Sequence, residues 1–115
     1  MSFDGKSRAT LSHQAAAVGD LVADDLIVTV TAITGKNIYL DSVRGYTDTA
    51  SVFSITDSGG KVILKERLPA DSVINLGFNQ LTPFDFADAG TNLVVNLEGD
   101  ATPLEVYLQV NAYSF

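Results

Sequence analysis

The chain has 115 residues, of which 46% are hydrophobic and none is cysteine. This length suits one domain that buries its own core, and the lack of cysteine excludes disulfides and thiolate metal sites. Seven Lys and Arg against 14 Asp and Glu give a formal net charge of −7. Because nucleic acid attracts basic surfaces, this balance argues against direct nucleic-acid binding.

The sequence predicts neither a membrane segment nor a targeting signal. Its longest apolar runs fall well short of the ~20 residues that a membrane helix requires. Residues 1–8 contain no long apolar stretch of the kind that marks a secretory signal peptide. We therefore expect the protein to have no membrane partner.

Residues 1–23 differ in composition and in hydrophobic pattern from the rest of the chain. They are small, polar and rich in alanine, and they show no sustained period of two. We interpret them as an N-terminal extended arm in front of a β-domain of residues 24–115. Such an arm either contacts a partner, stays free, or adds an edge strand at 15–22. Its candidate contact residues are Phe3, Arg8 and His13.

From Leu26 onward, apolar and polar residues alternate in a way that predicts β-strands. Taken in chain order, the predicted strands are 26–33, 36–44, 51–56, 61–68, 72–78, 93–98 and 104–113. Residues 45–49 are predicted to form a polar turn that contains Tyr46. The sequence Asp-Ser-Gly-Gly at 57–60 predicts a tight hairpin turn, because glycine adopts the positive φ that such turns need.

These strands predict an all-β fold, an antiparallel two-sheet β-sandwich of about seven or eight strands. A parallel α/β fold would need helical crossovers for which the chain has no room. The pattern leaves jelly-roll and immunoglobulin-like topologies open. Because the final strand runs almost to Phe115, we expect its edge to be open to pairing with another chain.

Candidate catalytic and metal-binding groups are few. His13 is the only histidine, so a Ser-His-Asp triad would have to use it, yet it lies in the arm, a poor platform for a preorganised site. Asp24 with Asp25, and Asp85 with Asp88, could serve as paired carboxylates or calcium ligands. Neither pair has EF-hand spacing, and capping of turns is the simpler interpretation. We predict that the protein is not an enzyme and that it binds neither a cofactor nor a metal ion.

Aromatic side chains remain as candidates for a binding surface. Tyr39, Tyr107 and Tyr113 fall on outward faces of predicted strands, where tyrosine suits a subunit contact or a stacking platform for sugars. Phe84 and Phe86 lie in a long loop, and there a core or lid role at one end of the sandwich is favoured over ligand binding.

Six segments carry a resemblance to a known class of proteins. They are 34–40, 50–56, the hairpin at 57–60, 68–71, and the closing strands 93–98 and 106–113. In their order, from Ile33 to Phe115, the chain resembles small β-sandwich structural proteins of tailed-bacteriophage virions, of the head decoration (cement) and head-spike types.

The resemblance implies a structural protein on the capsid exterior with no active site. Decoration proteins of this kind clamp neighbouring copies of the major capsid protein, often as homotrimers. A protein that binds only the assembled shell stabilises that shell by mass action. Many weak contacts repeated on the capsid lattice strengthen the binding further through multivalency. The alternative is a carbohydrate- or receptor-binding module of a phage spike or fibre that uses Tyr39, Tyr46 or the loop of Phe84 and Phe86.

Overall fold

The computed structural model describes residues 9–33, 38–77 and 91–114, with side chains described from 16 to 112 inside those ranges. Eight strands lie in this part of the chain. They are β1 (Ala9–Ala17), β2 (Asp25–Val30), β3 (Ile38–Thr47), β4 (Ser51–Asp57), β5 (Val62–Leu68), β6 (Ser72–Gly77), β7 (Leu93–Gly99) and β8 (Val106–Ser114). A 3-10 turn at Val18–Asp20 connects β1 to β2.

The strands form two antiparallel four-stranded sheets, which confirms the predicted β-sandwich. The first sheet has the order β1-β8-β3-β6, and the second has the order β2-β7-β4-β5. The first four strands therefore pair with the last four in reverse order: β1 with β8, β2 with β7, β3 with β6, and β4 with β5. This nested pairing is the jelly-roll topology, so the immunoglobulin-like alternative is excluded.

The core lies between the two sheets and comes from the alternation within the strands. Every second residue of β4, from Ser51 to Asp57, is buried, and β2, β7 and β8 alternate in the same way. β3 also alternates, except at an irregularity between Leu40 and Ser42. Among the described residues, Phe53 is the largest fully buried side chain. Each fully buried Val, Leu, Ile or Phe contributes about 1.5–3 kcal/mol relative to exposure, so this core is the main source of stability.

The turn predicted at 45–49 begins too early, because β3 continues through Gly45 and Tyr46 to Thr47 and the bend lies at 48–49. Gly45 faces the core opposite Leu108 of β8 and Ile74 of β6. A Cβ atom at Gly45 would lie 2.7 Å from the carbonyl oxygen of Tyr107. The glycine thus allows a close approach inside a sheet, a role that the local pattern does not distinguish from a turn.

Two predicted strand ends are also wrong. The last strand begins at Val106 and not at Leu104, whose side chain is 88% exposed. Asp48 holds this segment as a loop, since its Oδ2 accepts hydrogen bonds from the backbone N–H groups of Leu104 and Glu105, both at 3.2 Å. The strand predicted to end at residue 33 stops at Val30, and the N–H of Ala32 donates to Asn92 Oδ1 at 2.8 Å.

The C-terminal strand does not have an open edge, contrary to the sequence-based expectation. β8 lies inside the first sheet, with β1 on one side and β3 on the other. Its second neighbour comes from the segment interpreted as an arm, since residues 9–17 form β1. A bulge at Leu11, where the register with β8 shifts, breaks the period of two in this alanine-rich strand and hides it from pattern analysis.

Substitution of Gly45 tests the close approach of β3 and β8. We expect Gly45→Ala to lower the free energy of unfolding by about 1–3 kcal/mol, because the new methyl group meets backbone that cannot move aside. Chemical denaturation measures the change. Gly77→Ala in β6 is the matched control, since a Cβ there meets nothing within 4 Å. Equal stability of the two variants would contradict this assignment.

Candidate functional site

The outer face of the first sheet carries the tyrosines. In the pairing of β3 with β8, Tyr46 lies opposite Tyr107 and Tyr39 lies opposite Tyr113. Directly opposite residues have Cβ atoms about 4.5–5.5 Å apart, so Tyr46 and Tyr107 form a cross-strand aromatic pair. Tyr39 is half-buried, and for Tyr113 the structure describes the backbone register. Along β8, Tyr107 and Tyr113 are about 20 Å apart.

One row of outward-facing side chains crosses the whole width of this sheet, and Tyr46 within it is half-buried. It runs from Ala17 in β1 through Tyr107 and Tyr46 to Val73 in β6. Val73 is 71% exposed and Tyr107 is 45% exposed. We call these four residues the tyrosine band. A continuous row of apolar and aromatic groups on an outer face, most of them exposed, is typical of a surface that binds another molecule.

The rows next to the tyrosine band are polar. Arg44 lies between Gln109 of β8 and Asn75 of β6. In the following row, Asn111 Nδ2 donates a hydrogen bond to Ser42 Oγ at 2.9 Å. Amide, hydroxyl and guanidinium groups offer hydrogen bonds to a partner, and arginine and tyrosine are both enriched at protein interfaces.

The tyrosine band borders the end of the sandwich where carboxylates collect. We call this region the acidic end. It consists of the four loops 18–24, 48–50, 69–71 and 100–105. Six acidic residues lie in these loops: Asp20, Asp24, Asp48, Asp71, Asp100 and Glu105. Within the described residues, no three potential metal ligands come together.

Several carboxylates of the acidic end act as structural caps. Asp24 Oδ1 accepts a hydrogen bond from Thr102 Oγ1 at 2.6 Å. Asp100 pairs with Arg67, and Asp20 Oδ2 accepts the backbone N–H of Ala17 at 3.1 Å. These contacts support the interpretation that aspartates at the strand ends stabilise turns.

Tyr46 is held at the border between the tyrosine band and the acidic end. Its hydroxyl donates a hydrogen bond to Asp71 Oδ1 at 3.1 Å. This hydrogen bond is the largest cause that raises the pKa of Tyr46 above its ordinary value of 10.0. Partial burial and the negative charges of Asp71, Glu105 and Asp48 raise it further. A ring held in this way loses less conformational entropy when a partner binds.

The structure brings Tyr46 and Tyr107 together, and it places the other two predicted tyrosines, Tyr39 and Tyr113, farther along the same two strands. Tyr39, Tyr46, Tyr107 and Tyr113 belong to one pair of strands, and the backbone of His13 in β1 is the partner of Asn111. The other predicted site residues lie outside the described residues: Phe3, Arg8, Phe84 and Phe86.

Sequence reasoning missed Ala17 and Val73 as members of the surface. The alternation in β6 already places Val73 opposite in direction to Ile74 and Leu76. That signal was available, but its meaning depends on the register that sets Val73 beside Tyr46.

Alkaline titration tests the contact between Tyr46 and Asp71. We expect Asp71→Asn to lower the pKa of Tyr46 toward 10.0, because the anionic acceptor is removed. Asparagine tolerates the positive φ of this position, which is 60°. The tyrosinate absorbance follows the titration, and Tyr46→Phe identifies the component that belongs to Tyr46.

The sign of the stability change follows from linkage. Since folding raises the pKa of Tyr46, the contact contributes its full stability below pH 10.0, the unfolded value, and loses it as pH rises through the folded pKa. Asp25→Asn removes an equal charge at the same end of the molecule and should leave the titration of Tyr46 unchanged. An identical titration in wild type and Asp71→Asn would show that the hydrogen bond does not form.

Within the described residues, no helix has both the length and the apolar character needed to span a bilayer. The chain was compared with protein-family models, with curated proteins and with solved structures, and none of the three comparisons found a match. The arrangement of the outer face is therefore the basis for assigning a function.

Proposed function

We propose that this chain is a virion structural protein of a tailed phage, a capsid decoration (cement) protein that binds the outside of the head. Its partner is the major capsid protein, and its contact surface is the outer face of the first sheet. The observation that carries the proposal is the tyrosine band, an outward-facing aromatic and apolar row across all four strands of that sheet.

The shape of the surface favours a protein partner. A sheet face is broad and nearly flat, and it can cover a flat area of another protein without a deep pocket. Tyr107 and Val73 supply exposed apolar area, while Arg44 in the adjacent row supplies a charge and several donors. Jelly-roll domains are widely used in viral capsids, which agrees with the resemblance found in the sequence.

The charge of the chain supports a position outside the shell. A net charge of −7 is repelled by packaged DNA and keeps an unbound protein soluble. Weak contacts suffice on a shell that repeats the same site many times, because each bound copy favours the assembled state.

A carbohydrate- or receptor-binding module of a spike or fibre is the second candidate. The observation that favours it is the spacing of aromatic and amide groups on the same face. Gln109 and Asn111 of β8 lie between the positions of Tyr107 and Tyr113. Aromatic rings that stack on sugars, combined with amides that bind hydroxyl groups, form a common recognition surface, and jelly rolls also occur as lectins.

Binding to heads tests the first proposal. We expect the purified protein to co-sediment with expanded capsids of the phage whose genome contains its coding sequence. Tyr107→Ala should weaken this binding by about 30-fold or more, as loss of a central aromatic contact does. Ile27→Ala is the matched control, because Ile27 lies on the outer face of the second sheet and is 41% exposed.

Two results would contradict the decoration role. One is the absence of binding to capsids at any stage of maturation, and the other is an equal loss of binding in Tyr107→Ala and Ile27→Ala. Circular dichroism of both variants separates a lost contact from a lost fold.

A glycan array separates the two candidates. We expect no sugar to bind the wild-type protein at levels above those of a protein without exposed tyrosines. Binding of one class of glycan that disappears in both Tyr46→Ala and Tyr107→Ala would favour the carbohydrate-binding module instead.

A further inference from the structure

Four strands form the edges of the two sheets: β1 and β6 in the first, and β2 and β5 in the second. Exposed edges tend to pair with other chains, and proteins prevent this with charges, bulges or covering elements. β5 contains Lys65, Glu66 and Arg67 and a bulge at Ile63. β1 has the bulge at Leu11. β2 begins with Asp25 and lies against β1, which closes that side of the sandwich.

Within the residues that the structure describes, β6 has none of these protections. Its sequence, Ser-Val-Ile-Asn-Leu-Gly, contains no charged residue and no proline, and its register with β3 runs without a bulge. Within the described part of the chain, no strand pairs with its outer edge. Among the described strands, the backbone N–H and C=O groups on this edge have no partner strand, and Val73 beside them is 71% exposed.

Among the described strands, β5 and β6 do not pair across the side of the sandwich next to β6. Between them lies a groove of about 210 Å³, lined by the apolar residues Phe53, Leu68, Val73, Ile74 and Leu76 and by the polar residues Glu66 and Asn75. This volume is below the range of about 300–1,000 Å³ that is usual for small-molecule sites. The groove and the unpaired edge together are better suited to another strand than to a small ligand.

We propose that β6 pairs with β6 of a second copy of this chain, antiparallel about a two-fold axis. The first sheets of the two copies then form one continuous eight-stranded sheet. Such an interface is isologous, so each residue of one copy meets the equivalent region of the other. The dimer does not depend on the partner of the tyrosine band, and it differs from the trimer that the resemblance implies.

The charge distribution selects a second copy as the occupant. In a two-fold interface like charges come together, so β5, with three charged residues, is a poor candidate and the uncharged β6 is a good one. Opposite residues in a sheet share a face, so Val73 would meet Val73, Asn75 or Gly77 of the second copy, all uncharged.

Antiparallel pairing also separates the two acidic ends. β6 begins at the acidic end, directly after Asp71, and runs away from it to Gly77. The acidic ends of the two copies would therefore point in opposite directions, which reduces repulsion between two chains of net charge −7.

Sedimentation of the isolated protein tests the proposal. We expect wild type to sediment with twice the monomer mass, and Val73→Lys to weaken the dimer by about tenfold or more, because it adds two like charges to the short interface near the two-fold axis. Val62→Lys is the matched control, since Val62 is 59% exposed on the edge strand β5, and it should leave the dimer intact.

Cross-linking gives an independent measurement, which the natural chain permits because it contains no cysteine. A short bismaleimide should convert Asn75→Cys into a covalent dimer and leave Val62→Cys monomeric. This result decides the matter even if Val73→Lys fails to fold.

The proposal is overturned if wild type is a monomer at high concentration, which would leave the edge of β6 to a strand of a different protein. It is also overturned by a trimer, or by equal cross-linking of the two cysteine variants. Because capsids are absent from these measurements, and Tyr107→Ala should retain the dimer, a failure here is distinct from a failure of the decoration role.

Discussion

The structure depends on the antiparallel pairing of β8 between β1 and β3. This pairing places Leu108 and Val110 in the core and sets Tyr107 beside Tyr46 on the outer face. Side chains alternate along a strand, so a shift of one residue would turn the tyrosines into the core and the core residues toward solvent. The register is therefore held by the burial of apolar groups, and the outer face follows from it.

The two sides of the sandwich differ, and this difference links the fold to the proposed contacts. Where β1 and β2 lie against each other, the sandwich is closed. On the other side, the described strands β5 and β6 do not pair, and a groove lies beside Ile74 and Leu76. The acidic end adds a second asymmetry, because its carboxylates cap loops and hold Tyr46 through Asp71. An outer face with aromatic residues and an uncharged edge strand thus belong to the same sheet.

Features that depend on neighbouring residues in the chain were predicted correctly. The hairpin at 57–60 is confirmed, since Asp57 Oδ1 accepts the N–H groups of Gly59 and Lys61, each at 2.9 Å, and Gly60 has φ of 92°. Features that depend on distant residues were not. In the sequence Gly45 resembles a turn residue, and only the tertiary structure shows that it packs against the backbone of Tyr107. Leu104 continues the alternation of β8, but Asp48, far away in the chain, holds its backbone in a loop.

By itself, the sequence determined the all-β class, the inward and outward sets of most strands, and an acidic surface without thiol chemistry. These properties follow from a period of two and from composition, which are local or additive. The tertiary structure alone decided that the strands nest as a jelly roll and that β1 covers β8. It also decided that Ala17, Tyr107, Tyr46 and Val73 form one row. Strand neighbours are chosen by the packing of the whole core, because many strands of similar pattern could pair equally well in isolation.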